Sequence, residues 1–196
     1  ERYGADPTGV ADSGVAFRSA CAVALAAGGG KIYALGKLYN FTTWDPSPFY
    51  GSAYALFCVP GNTELVGGGM FATKLRISST ARAGMYALGW TSIIGMRSGQ
   101  TGQYIHDLQF DYNGQVQQSG TDYCFFAYTA AGGCTIERCY GVQAPIRNAI
   151  VDNSGYVSGF VTPPPVVVKG CWFQDCGPNM TGNSGLSTDC SYVYLQ

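Results

Sequence analysis

Charge is scarce in this sequence. Asp, Glu, Lys and Arg make up only 12% of its 196 residues, and the formal net charge is −1. That composition does not supply the basic field a phosphate backbone requires, so nucleic acid is not an expected partner. Long hydrophobic runs are missing too. No stretch of about 18 apolar residues offers a membrane span, and no charged segment precedes a short apolar core with a small-residue cleavage site. Histidine occurs once, as His106, and the G-x-S-x-G, H-E-x-x-H, P-loop and dinucleotide-binding patterns are absent. No cofactor and no metal are therefore expected.

Glycine and aromatics, by contrast, are plentiful: 28 glycines and 14% Phe, Trp and Tyr accompany several short runs rich in Val, Ile, Tyr and Phe. Brief strands joined by tight turns suit that mixture better than long helices do, which predicts an all-β class. The length fits one domain. The chain starts at Glu1 without a methionine and finishes on the strand-like "SYVYLQ", so it reads as a piece of a longer protein. Eight cysteines are present, and "CTIERC" (Cys134, Cys139) and "CWFQDC" (Cys171, Cys176) have zinc-like spacing. The residues between them are strand-like where a zinc knuckle wants a turn, and no disulfide framework spacing is visible. Buried free thiols are the favoured reading, with the redox compartment undecided.

The polar, turn-rich "YGADPTGVADS" (Tyr3 to Ser13) leads into one amphipathic stripe, Phe17, Ala20, Cys21, Ala24 and Leu25. This predicts a helix of about four turns, with Asp12 or Ser13 capping its start and Gly28 turning left-handed at its end. "KIYAL", a turn at Gly36 and "LYNFTT" follow as two short strands. The whole segment from Tyr3 to about Phe41 resembles the opening of the pectate-lyase-like right-handed parallel β-helix superfamily. There an [F/Y]-G-A-x-x-[D/T]-G-x-x-D-[D/S] stretch leads into a capping helix, then "GGG", then the first strands. "NTELVGGG" (Asn62 to Gly69) is similar to the segment that follows. Gly14 and "ALGK" depart from the usual pattern. The resemblance implies a solenoid of stacked coils over 42–196, with residues 1–41 forming the capping helix and first strands. The helix hides an otherwise open edge.

Stacked coils should leave loose repeats. "IHDLQFDYNG" from Ile105, "IERCYGVQAP" from Ile136 and "VKGCWFQDCG" from Val168 align without gaps. Two inward residues three positions apart cannot share one straight strand, so a bend is expected at His106-Asp107, Glu137-Arg138 and Lys169-Gly170. Leu108, Cys139 and Cys171 then stack inside, as do Phe110, Gly141 and Phe173. A rival register pairs Cys134 with Cys171 and Cys139 with Cys176. Side loops are expected at 129–133, 152–159 and 177–185, and "TPPP" (162–165) reads as an extended lead-in to a strand.

Aligned outward residues stack at about 4.8 Å. Asp107 and Glu137, from adjacent coils, are the candidate catalytic carboxylates, because such a pair can approach the ~5 Å separation of retaining glycosidases. The blander account is a solvated ion-pair ladder, since His106, Arg138 and Lys169 interleave with them. His106 reads as a surface residue, and Asp111 as a turn residue before Asn113-Gly114 or as a groove acid. Tyr140 and Trp172 form a flat aromatic platform suited to sugar rings, to another subunit, or to packing under a loop. With Lys169 they are the candidate substrate-binding residues.

The opening motif most resembles phage and bacterial members of the superfamily. That resemblance implies a tailspike or tail-fibre-like homotrimer on a virion tail, binding bacterial capsular or lipopolysaccharide glycan and leaving cleavage open. A secreted lyase, epimerase or glycoside hydrolase is the alternative enzyme class, and a β-helical stalk or adhesin the non-enzymatic one. Membrane insertion is not expected.

Overall fold

The computed structural model describes residues 2–48, 53–88, 90–97, 99–113, 123–129, 133–142, 150–153, 166–174, 186–188 and 193–195. In chain order the elements are β1 (Thr8–Asp12), α1 (Gly14–Ala26), β2 (Gly30–Ala34), β3 (Leu38–Phe41), β4 (Ala53–Cys58), β5 (Thr63–Gly67), β6 (Lys74–Ile77), α2 (Ser79–Tyr86), β7 (Trp90–Met96), β8 (Tyr104–His106), β9 (Gln109–Asp111), β10 (Tyr123–Thr129), β11 (Thr135–Glu137), β12 (Tyr140–Val142), β13 (Ile150–Asn153), β14 (Val166–Lys169), β15 (Trp172–Gln174), β16 (Leu186–Thr188) and β17 (Val193–Leu195). The loops expected at 129–133, 152–159 and 177–185 and the "TPPP" segment lie mostly or wholly outside the described residues, as does Cys176.

Among the described residues every strand pairing is parallel. The strands fall into sheet A (β1-β3-β6-β9-β12-β15), sheet B (β2-β5-β8-β11-β14-β17) and sheet C (β4-β7-β10-β13-β16). From β2 onward the chain visits B, A and C in turn, so each strand's neighbour in its sheet lies three strands later. That is a parallel β-helix, one coil per three strands.

The core is a set of columns. On sheet B, Ile32, Leu65, Ile105, Ile136 and Val168 sit in register, and the last four are at most 4% exposed. On sheet A, Tyr39, Leu75, Phe110 and Gly141 do the same. Burying each such aliphatic side chain stabilises the coil by roughly 1.5–3 kcal/mol. The repeat alignment is the observed register, and it excludes the rival: Tyr140 pairs with Gln109 and Trp172, one residue beyond Leu108, Cys139 and Cys171. Leu108 and Cys139 are fully buried and Cys171 is half-buried.

The bend between sheets B and A is made by a single left-handed residue in three successive coils: Asp107 (φ 58°), Arg138 (φ 47°) and Gly170 (φ 59°). His106, Glu137 and Lys169 are the last residues of their strands. Backbone pairing runs on through the corner, with Asp107 N donating to Glu137 O at 3.2 Å and Arg138 N to Lys169 O at 3.0 Å. In the coil before, the same corner is longer, since Val66 pairs with His106 and Lys74 with Gln109. Gly67 to Thr73 therefore occupy the place that Asp107 and Leu108 fill one coil on. The corner is tight, because a Cβ on Gly67 would meet the Asp107 carbonyl oxygen at 2.1 Å.

The N-terminal end explains its own motif. The Asp6 carboxylate accepts hydrogen bonds from Thr8 N (2.9 Å), Thr8 Oγ1 (2.6 Å), Val10 N (2.9 Å) and Ala11 N (2.6 Å). These donors, the Ala11 amide above all, hold its pKa down to about 2. The segment expected as a turn is thereby drawn out as β1, which extends sheet A beyond β3. Asp12 joins helix to coil, accepting from Gly14 N (3.2 Å), Thr42 N (2.7 Å) and Thr43 Oγ1 (2.7 Å). Ser13 does not cap with its side chain; its hydroxyl bonds the Asp6 backbone instead. Gly28 is left-handed after the helix (φ 76°), as expected.

Helix α1 packs on β2 and β4, the outermost strands of sheets B and C. Ala16, Phe17, Ala20, Cys21 and Ala24 face inward, but Leu25 is 53% exposed, so the buried stripe is narrower than its sequence period. The Phe17 ring lies 5.1 Å from each of Tyr39, Phe41 and Phe57 and plugs the first coil. The helix thus roofs the stack. The second helix, α2, has no counterpart in the sequence expectations; Ser78 caps it by accepting from Ala81 N at 3.1 Å, and Ala81 and Met85 are buried.

Candidate functional site

Two outward surfaces meet along the corner between sheets B and A. On sheet B the end-of-strand column runs Val66, His106, Glu137 and Lys169, with Glu64 and Tyr104 paired beside it. His106 is only 7% exposed. This corrects its reading as a surface residue. It is buried because each ring nitrogen meets a carboxylate, Nε2 with Glu64 Oε1 at 2.9 Å and Nδ1 with Asp107 Oδ2 at 2.6 Å, while the Tyr104 ring stacks on it at 4.2 Å.

Asp107 and Glu137 both lie in this network, tied by Arg138. The guanidinium donates to both Asp107 oxygens, at 2.8 and 2.7 Å, and also to Glu137 Oε1. Glu137 Oε2 receives the Tyr104 hydroxyl at 2.5 Å and faces Lys169 Nζ at 3.1 Å. Lys31 closes the other end on Glu64 at 2.6 Å. Arg138 foremost, with His106 behind it, lowers the Asp107 pKa to about 2. The Tyr104 hydroxyl, then Lys169, lowers that of Glu137, and Lys31, then His106, that of Glu64. All three carboxylates are therefore ionised at neutral pH. None carries the proton that a general acid must donate, and such low pKa values also make weak bases.

This network predicts a pH dependence. Because the folded-state pKa of Asp107 lies below its usual 3.8, the stability it contributes is complete above about pH 4 and is lost as pH falls toward 2. Glu137, Glu64 and Asp6 act in the same direction. Urea midpoints measured from pH 6 to about pH 2 are expected to fall steeply below pH 4, and Asp107→Asn to flatten part of that slope. An unchanged slope in the variant would show that the carboxylate is not held as described.

On sheet A the outward columns are Leu38, Lys74, Gln109, Tyr140, Trp172 and Asn40, Arg76, Asp111, Val142, Gln174. Asp111 is 5% exposed. Oδ1 accepts from Asn113 N at 2.6 Å, the turn bond its sequence context suggests, and Oδ2 faces Arg76 Nε at 3.2 Å and Lys74 Nζ at 3.4 Å. Trp172 is 57% exposed, with its ring 5.9 Å from that of Tyr140. The Tyr140 hydroxyl donates to Gln174 Oε1 at 2.8 Å. Phe71, 64% exposed at the tip of the long corner, reaches both rings, at 5.2 and 6.4 Å. The result is a three-ring aromatic patch beside polar side chains, an arrangement that can stack a ring with an apolar face and bond its rim.

Sequence reasoning missed Glu64, Tyr104, Phe71, Lys74 and Arg76. An exposed Phe inside a glycine-rich loop was the visible signal for one of them. Among the described residues no group of three or more His, Cys, Asp or Glu has metal-binding geometry, and Cys21, Cys58, Cys134, Cys139 and Cys171 are free thiols. Burial raises the Cys139 thiol well above its ordinary pKa.

The fold is that of the right-handed parallel β-helix proteins. The chain is similar to the tailspike protein of Escherichia coli bacteriophage HK620, solved with a pentasaccharide, at a TM-score of 0.68 and 16% identity over 98% of this chain and 32% of the tailspike. It is also similar to the A-module of the mannuronan C-5 epimerase AlgE6 of Azotobacter vinelandii (TM-score 0.60, 19% identity, 87% of this chain and 42% of that one). A Parabacteroides merdae protein provisionally assigned as a glycosyl hydrolase matches at a TM-score of 0.61 and 15% identity, over 99% and 93% of the two chains. The chain thus spans about a third of the tailspike and less than half of the epimerase module. No family model and no curated protein matches the sequence.

Proposed function

We propose that this chain is a segment of a phage tailspike-like, trimeric protein that binds bacterial capsular or lipopolysaccharide glycan on the outer face of sheet A. The observation that carries the reading is the exposed Phe71, Tyr140 and Trp172 patch, set on a rigid stack beside hydrogen-bonding side chains. Aromatic faces flanked by polar groups suit sugar rings, and Lys169, one residue before the corner, offers an ammonium to the same ligand. The tailspike's pentasaccharide complex supports a glycan as the class of ligand, and its name a place on the virion tail.

Binding is favoured over cleavage at the corner, because Asp107 and Glu137 are bound by Arg138, Tyr104 and Lys169 and stay ionised. Their assignment as catalytic carboxylates has a direct test. The protein is incubated with capsular and O-antigen polysaccharides, and the polymer is analysed by mass spectrometry. Intact polymer retained on the protein is the expected result. Unsaturated uronate ends or new reducing ends that disappear in Glu137→Gln would instead make the pair catalytic and the protein a depolymerase. Failure to retain any polysaccharide would overturn the glycan reading and favour a stalk.

A further inference from the structure

We infer that the glycan bound on sheet A carries a carboxylate, and that Lys74 and Arg76 form its subsite; this rests on the glycan-binding reading above. The two residues are two positions apart on β6 and so project from the same face of the sheet. Between them they meet one acid. Asp111, paired across from Arg76 on the next strand, takes Lys74 Nζ and Arg76 Nε on a single oxygen, and its other oxygen is used by the Asn113 amide.

One carboxylate cancels one of two positive charges, so the cluster keeps an excess of one. Arg76 spends only Nε on Asp111, and its two terminal nitrogens have no partner among the described residues. Those nitrogens are the half of the guanidinium best shaped to receive a planar oxyanion. The side chains are 29% and 32% exposed, open enough to be reached and shielded enough for the charge to count.

Placement supplies the second observation. Lys74, Gln109, Tyr140 and Trp172 lie in one column, so the cations stand two and three strands from the aromatic rings, roughly 10 and 14 Å away. A glycan lying along the column would seat one sugar ring on Tyr140 and Trp172 and bring a carboxyl group a few sugars on to Arg76. The buried Asp111 fixes the Arg76 side chain in advance, which lowers the entropy cost of capturing the ligand. The ligand class is therefore a polymer containing uronic or other carboxylated sugars.

The test uses acidic bacterial capsular polysaccharides, each native and after chemical reduction of its carboxyl groups, alongside neutral polymers, with affinities read by biolayer interferometry. Reduction is expected to weaken binding about tenfold or more. Lys74→Gln is expected to erase most of the difference between the two forms, with an unchanged thermal midpoint reporting an intact fold. Raising salt from about 50 to about 500 mM should weaken the native polymer more than the reduced one. Equal affinity for native and reduced forms, or binding of neutral polymers alone, overturns the acidic-sugar inference and leaves the glycan reading in place. Retention of no polymer at all overturns both.

Discussion

Phe17→Ala is expected to lower the unfolding free energy by about 3–5 kcal/mol. For a chain of this length that corresponds to a fall of roughly 10 °C in thermal midpoint. Phe17 is 5% exposed and touches three aromatic rings from β3 and β4, so its loss opens a cavity at the seam between helix and stack. The consequence reaches beyond that cavity. Once α1 is loosened, the outermost strands β2 and β4 present unpaired edges, and these invite pairing with other chains. Aggregation should accompany the loss of stability, visible as light scattering during thermal unfolding. Val15→Ala, on the exposed side of the same helix, is the matched control, since Val15 is 62% exposed and its truncation should stay within about 0.5 kcal/mol. A Phe17→Ala protein as stable as the control would mean that the helix does not act as a roof.

The second large effect is on binding. Trp172→Ala is expected to weaken polysaccharide affinity roughly thirtyfold or more, as loss of a central aromatic anchor does at other interfaces. The thermal midpoint should barely move, because more than half of the indole faces solvent and its contacts are with the exposed Phe71 and the half-buried Tyr140. Phe71→Ala should have a smaller effect of the same sign, and Tyr140→Phe, which keeps the ring and loses the bond to Gln174, a smaller one still. Affinity unchanged in both Trp172→Ala and Phe71→Ala would move the binding surface elsewhere.

Three coils were legible in the sequence because their corners are minimal. Asp107, Arg138 and Gly170 each turn the chain alone, so the strands on either side keep constant spacing and the inward residues line up. The preceding coil was hidden by its longer corner at Gly67 to Thr73, and that is why Glu64, Lys74 and Arg76 went unseen. The misreading of His106 follows from the same gap: one of the two carboxylates that bury it, Glu64, belongs to the coil whose alignment was lost. Strand β1 escaped notice for a different reason. Its residues are mostly exposed and have no alternating apolar pattern, and it is held by the Asp6 carboxylate and by pairing with β3. Such a strand is made by hydrogen bonding, which leaves no hydrophobic trace.

The long corner has a consequence for what the scaffold tolerates. Because Val66 pairs with His106 and Lys74 with Gln109, the extra residues at the bend leave the register of the strands on both sides unchanged. The loop that carries Phe71 can therefore change in length or sequence while the strands on either side of it keep their register.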